Sequence, residues 1–141
     1  MSNKLIKNNN KVAMVANKLE KMLNNFTNWG FSTVPQGDGY LVGTSLSRNN
    51  GQVMNVVFEV QKSEVVIQAI LPSCKFDEEM AKKEILALKL PIPVGLSGTS
   101  GELLFARCSI PTKYVNSDTN IIIGEIMIPI VSAMTKIALA A

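Results

Sequence analysis

The sequence predicts an α+β fold, with an antiparallel sheet of about five strands and N-terminal, middle and long C-terminal helices. Two patterns indicate it: apolar residues spaced three and four positions apart, and short β-like runs separated by turn residues. With 141 residues the chain is long enough for one domain with its own core. We expect that single domain over residues 11–141, after a flexible, Asn-rich tail over residues 1–10.

The first helix is predicted between Lys11 and Asn28. Its apolar residues form one stripe and polar residues occupy the other side, as in a helix that packs on a core. The stripe consists of Val12, Val15, Leu19, Met22, Leu23 and Phe26. Gly30 stands where a left-handed C-cap would end the helix.

Three strands are predicted to follow as a meander. Tyr40–Leu46 and Gln52–Val60 are β-like runs joined by residues 48–51, whose Asn-Gly pair suits a tight hairpin turn. In the second run every other residue is apolar, so one face of the sheet should pack and the other should be mostly solvated. A third strand is expected over residues 64–71.

A middle helix is predicted from Asp77, its N-cap, to about Lys89. Pro91 and Pro93 follow it. Because proline has no amide hydrogen to donate, the segment over residues 92–96 should form an edge strand or a bulged strand.

A Gly-rich turn is predicted over residues 98–101, leading into a strand over residues 102–110. Gly95, Gly98 and Gly101 recur every third residue, a spacing at which backbone amides would also be able to cradle a phosphate. The segment lacks the Lys-Ser/Thr ending of a P-loop and leads into a strand instead of a helix. We therefore expect a hairpin turn. The alternative is that these three glycines form a turn that binds a ligand.

The last helix is predicted to start near residues 116–118 and is apolar on nearly all sides. Such a helix lies deep in a fold, in an oligomer interface or in a membrane. Glu125 and Lys136 leave an uncharged run of only about half the roughly 20 residues that a span needs, so we expect no integral span. Pro129 should kink the helix or end its regular first half. The candidate dimer or partner interface consists of Ile123, Ile126, Met127, Ile130 and Met134.

Composition argues against several functions. The absence of histidine from the sequence removes His-based bases, Ser-His and Cys-His nucleophiles and imidazole ligands. A carboxylate pair or a Ser-Lys dyad stays open, yet the acids at 77–79 fit the first turn of a helix better. We expect no enzyme activity and no catalytic, cofactor or metal site. Nucleic acid is not expected as a partner, because the net charge is only +3 and the two arginines are far apart in sequence.

Cys74 and Cys108 match neither a redox pair nor a zinc framework. We expect two buried, reduced thiols; the alternative is a thiolate of lowered pKa at Cys74, near the start of the middle helix. The first residues contain no continuous apolar segment of the kind that secretory export uses, so we expect a cytoplasmic location.

The predicted order of elements resembles the type III secretion chaperone-like fold, which the YbjN family of bacterial proteins shares. AILPSCKFDEEM, LKLPIPVGLS and the Ile-rich helix with Glu125-Ile126 are similar to the small YjfI-type family of bacterial cytoplasmic proteins. The resemblance implies a homodimer of α+β subunits that offers grooves to protein clients and has no catalytic residues. It also implies an accessory role in a membrane-stress or secretion system, because YjfI-type proteins are similar to gene neighbours of phage-shock-type membrane-coat proteins.

We therefore expect a non-catalytic protein-binding module, a chaperone- or adaptor-like regulator that forms homodimers and binds an unidentified protein partner. The last helix or a sheet edge would form the dimer, and Ile126→Asp or Ile130→Asp would disrupt it. The alternative is a small-ligand-binding sensor that encloses a molecule between the 95–101 hairpin and the sheet. A third hypothesis is peripheral membrane contact through the basic residues 1–26.

Overall fold

A computed structural model describes residues 3–47, 51–117 and 121–140 of the chain. The strands are β1 (Ser32–Gln36), β2 (Gly39–Ser47), β3 (Val53–Val60), β4 (Glu64–Pro72), β5 (Gly95–Thr99) and β6 (Leu103–Pro111). The helices are α1 (Asn3–Phe26), α2 (Glu78–Leu86), α3 (Lys113–Ser117) and α4 (Ile128–Leu139), with a π-helical segment (Ile121–Met127) directly before α4.

The strands form one antiparallel sheet in the order β1-β2-β3-β4-β6-β5. The predicted α+β class is confirmed, and β5 lies at an edge as the neighbouring prolines indicated. The sheet has six strands instead of about five, because the prediction omitted β1. That strand is short and contains Pro35, which an edge strand tolerates. The two-residue loop Gly37-Asp38 connects it to β2.

The helices pack on one face of this sheet. Helix α1 contacts β1, β2 and β3, while α4 contacts β4 and α2. On that face, Val42, Phe58, Ile67 and Cys108 are successive cross-strand neighbours, and all four are buried. Because side chains alternate along each strand, the residues between them point to the opposite side. We call that side the open face.

Helix α1 starts at Asn3, earlier than the predicted Lys11. Extending an existing helix costs little, since each added residue gains one hydrogen bond. The mobility of residues 1–10 stays a prediction. At its other end the amide and the hydroxyl of Thr27 both donate to the Leu23 carbonyl, at 2.9 and 2.8 Å. Gly30 follows with φ +79°, the left-handed conformation predicted for it.

The chain after β4 follows the predicted order with shorter helices. Asp77 occupies the N-cap of α2, although its side chain makes no capping hydrogen bond, and the helix ends at Leu86, before Lys89. In the C-terminal segment, Pro129 lies in the first turn of α4, directly after the π-helical segment. Pro129 was predicted to kink the helix or to end a regular first half; instead the first part is π-helical and the regular α-helix follows it from Ile128. Residues 118–120, in the predicted helix start, lie outside the described ranges.

The C-terminal helical segment is the most apolar part of the chain. Among the described residues, Ile121–Leu139 is the one helical stretch long and apolar enough to cross a membrane, with 19 residues and a mean hydropathy of 1.8. Half of that stretch is buried inside the fold, against α2 and β4. A core helix passes the same test of length and composition.

Gly98→Ala is expected to lower the free energy of unfolding by about 2 kcal/mol or more. Gly98 has φ +145°, and a Cβ there would overlap the Leu103 carbonyl oxygen of the paired strand. The matched control is Gly124→Ala, where a Cβ meets no atom within 4 Å and φ is not positive. The control should unfold at the same or a slightly higher urea concentration. Equal unfolding midpoints for both variants would contradict this account of the β5–β6 pairing.

Candidate functional site: the open face of the sheet

The five residues predicted to form an interface lie inside the fold. Ile123, Ile126, Met127, Ile130 and Met134 are each at most 3% exposed. A partner would reach them only if the C-terminal segment left the core. These five residues are therefore core residues of the chain and not a surface for a partner. Ile126→Asp is accordingly expected to unfold the chain and not to dissociate a dimer.

The three glycines of the 95–101 segment belong to the β5–β6 hairpin. Gly95 begins β5, and Gly98 lies within it. The amide of Gly101 donates to the Cys74 carbonyl at 2.8 Å, and the hydroxyl of Ser100 accepts a hydrogen bond from the Phe76 amide at 2.9 Å. Because these groups tie the turn to the start of α2, the arrangement is that of an ordinary hairpin and not of an anion cradle.

Both cysteines are buried free thiols, as predicted. Burial raises the pKa of the Cys74 thiol, whose Sγ donates to the Lys75 carbonyl at 3.3 Å. Burial also raises the pKa of Cys108, from 9.0 to about 11. Raised values favour the neutral thiol, so the reactive-thiolate alternative for Cys74 finds no support. Within the described ranges, no three His, Cys, Asp or Glu residues are grouped as a metal site requires.

The open face carries apolar side chains outside the helix layer. The register places Asn55, Ile70, Phe105 and Ser97 in one row across β3, β4, β6 and β5. The row beside it runs through Gly43, Val57, Gln68 and Arg107, and a third through Val34, Leu41, Glu59, Val66 and Ser109. Most of these side chains are partly or fully exposed, whereas Val66 is buried among them. The solvated face predicted from the alternation in β3 is thus confirmed, but it is more apolar than expected.

Two opposite charges lie among the apolar residues of these rows. Glu59 on β3 and Arg107 on β6 stand on either side of β4. Between them the Gln68 Nε2 donates to the Glu59 Oε1 at 3.0 Å, which fixes the position of the carboxylate. One acid and one base on the same surface are the arrangement that a two-fold axis can make complementary to itself.

A cavity of about 470 Å³ lies at the β1 side of the open face. Gly43 lines it and lacks a side chain, while Val34, Leu41 and Val57 form its apolar wall. Sequence reasoning missed this site because its residues come from strands whose pairing is not readable from the sequence. The one available signal was the second alternating set of β3, which contains Val57 between Asn55 and Glu59.

Ile126→Asp should unfold the chain rather than dissociate an intact dimer. Ile126 is 2% exposed, and an unpaired buried carboxylate costs several kcal/mol, a large part of the stability of a small domain. Ile128→Asp is the matched control, since Ile128 follows on the same helical segment and is 39% exposed. Far-UV circular dichroism and thermal unfolding should show a native-like control and a largely unfolded Ile126 variant. A folded Ile126→Asp variant of native stability would contradict the assigned core.

The stability of the chain should fall as pH rises from about 9 towards 11. In that interval the unfolded thiol of Cys108 loses its proton while the folded one keeps it, so the unfolded state binds fewer protons. Each such group contributes up to about 1.4 kcal/mol per pH unit. Urea unfolding at several pH values gives the free energy of unfolding as a function of pH. Between about pH 9 and 11 this free energy should fall less steeply with pH for Cys108→Ala than for the unchanged chain. Identical slopes would contradict the burial of this thiol.

Comparison with protein-family models, with curated proteins and with solved structures gives no match to this chain.

Proposed function

We propose that the chain is a non-catalytic protein-binding module that forms a homodimer through the open face of its sheet. The observation that supports the proposal is the position of the helices, which cover one face and leave apolar residues of five strands on the other. An uncovered apolar surface of this kind is typical of a contact site. The proposed interface therefore lies on the sheet and not on the last helix, whose predicted interface residues are buried.

A second copy of the chain fits this surface by size. Six strands about 4.8 Å apart and strands of up to nine residues give a face about 24 Å by about 27 Å. That extent is comparable with the roughly 800 Å² that each partner buries in an interface of standard size. Two sheets that pack face to face at about 10 Å form a sandwich, a common way to cover apolar strands.

The charges also favour a second copy. A two-fold axis between Glu59 and Arg107 would place each of them against the other residue of the partner subunit, forming two equivalent ion pairs. A partner with an unrelated surface would have to supply both charges in the reverse order. The symmetric solution needs no additional protein, because one surface provides both halves of the contact.

The client of such a dimer would bind elsewhere on the molecule. Strands β1 and β5 are the edges of the sheet, and each has five residues. An extended segment of a protein partner can add to such an edge through main-chain hydrogen bonds. A chaperone- or adaptor-like role, accessory to a membrane-stress or secretion system, is the biological setting that the resemblance to YbjN-like and YjfI-type proteins implies.

A small-ligand-binding sensor is the second candidate. The cavity at Gly43 favours it, because its volume lies within the range of about 300–1,000 Å³ found for ligand pockets. Native mass spectrometry of the purified chain separates the two functions. A dimer without added mass supports the binding module, whereas a monomer that carries a stoichiometric small molecule supports the sensor.

Phe105→Asp should convert the dimer into a folded monomer. Phe105 is partly exposed on the open face of β6, between β4 and the edge strand β5, and a carboxylate there must be desolvated when two sheets meet. Leu86→Asp is the matched control, because Leu86 is 83% exposed on α2, in the helix layer. Sedimentation velocity should show a monomer for Phe105→Asp and a dimer for the control. An unchanged chain that sediments as a monomer at every concentration tested would contradict the proposal.

Exchange of the two charges tests the symmetric pairing. Arg107→Glu alone and Glu59→Arg alone should each weaken dimerisation by at least about tenfold, because like charges then face each other. The double variant should recover most of the loss, since the pairs are restored in reverse order. Dissociation constants from sedimentation equilibrium measure this coupling, and additive losses in the double variant would show that the two residues do not meet.

A further inference from the structure

A groove lies between α1 and the β3–β4 turn, in the helix layer and away from the open face. Its volume is about 630 Å³. We call it the α1 groove and define it by the residues that line it, which are Lys11, Val12, Met14, Val15, Lys18, Gln61, Lys62 and Thr112. Neither the proposed dimer nor the small-ligand sensor uses this groove.

One wall of the α1 groove is an apolar ridge of helix α1. Met14 and Val15 follow Lys11 by three and four positions, so they lie on the same side of the helix. Met14 is 69% exposed, whereas Val12 beside it is buried against the core. An exposed methionine next to a half-buried valine forms a flexible apolar wall that adapts to the shape of an acyl chain.

The opposite wall is held in place by hydrogen bonds. The Gln61 amide donates to the Glu64 carbonyl at 2.9 Å, which closes the β3–β4 turn. Thr112 ties this turn to the end of β6, since its amide donates to the Ser63 carbonyl at 3.0 Å and its hydroxyl to the Gln61 carbonyl at 3.0 Å. A wall fixed in this way keeps the groove open without a ligand and lowers the cost of ordering on binding.

The rim of the α1 groove is basic. Lys11 and Lys18 are seven positions apart on the same side of α1, and Lys62 approaches from the β3–β4 turn. All three are exposed, and none of the eight lining residues is acidic. Three ammonium groups around an apolar wall favour a ligand that combines a negative head with an apolar chain.

We infer that the α1 groove binds a single-chain anionic amphiphile, of the chemical class of fatty-acid carboxylates. The acyl chain would lie along Met14 and Val15, and the carboxylate would lie among the lysines of the rim. The volume is within the range of ligand pockets. Because the groove has two walls, one from α1 and one from the β3–β4 turn, we expect free amphiphile rather than a bilayer surface.

Dodecanoate is the probe, and the measurement is isothermal titration calorimetry below its critical micelle concentration. Saturable binding with one site per chain is expected. Lys62→Glu should weaken it roughly tenfold through charge reversal, and Met14→Gln should weaken it several-fold through the loss of apolar contact. Both positions are exposed, so the variants should keep their fold, which circular dichroism checks.

Lys83→Glu is the matched control, because Lys83 is an exposed lysine on α2 and does not line the groove. It should bind dodecanoate as the unchanged chain does. Four results would overturn the inference: no saturable binding, equal binding of dodecyltrimethylammonium, equal weakening in the control, or binding only to vesicles that contain phosphatidylglycerol. The Phe105→Asp monomer should bind normally, so failure here is separable from failure of the proposed dimer.

Discussion

The structure depends on one constraint, which is that a single antiparallel sheet buries only one of its faces within the chain. Helix α1 covers the β1–β3 half of that face, and the C-terminal segment covers β4. The ring of Phe31, just after α1, packs edge to face on the ring of Phe58 in β3, with 6.1 Å between the ring centroids. This contact joins the end of α1 to the sheet. Every helix that contacts the sheet within the described ranges lies on this side, so these helices leave the apolar residues of the other side uncovered.

The sequence was informative wherever a local pattern determines structure. The stripe of α1, the left-handed Gly30 and the edge position of β5 follow from helical spacing, glycine sterics and the missing amide of proline. Strand β1 escaped prediction because it is short and mostly exposed, and only its pairing with β2 identifies it as a strand. The open face escaped for the same reason, since Val57, Ile70 and Phe105 meet only after three strands pair.

The last helix shows where reasoning from hydrophobicity stops. Its many apolar faces predicted a helix deep in the fold, in an interface or in a membrane, and about half of the stretch is buried inside the fold. Only the packing against α2 and β4 assigns Ile126 and Met134 to the core of the chain itself. The distribution of charge also predicted only part of the α1 groove. The excess of lysine near the start of the chain predicted a basic N-terminal region. The rim of the groove is complete only when the fold brings Lys62 of the β3–β4 turn close to Lys11 and Lys18.

Hydroxyl-radical footprinting over a range of protein concentrations tests the central claim most directly, because it measures the exposure of individual side chains in the unchanged chain. As concentration rises through the dimerisation range, oxidation of Phe105 on the open face should decrease, while oxidation of the exposed Met14 on α1 should stay constant. Constant oxidation of Phe105 at all concentrations, or protection of Met14 instead, would contradict the assignment of the open face as the contact surface.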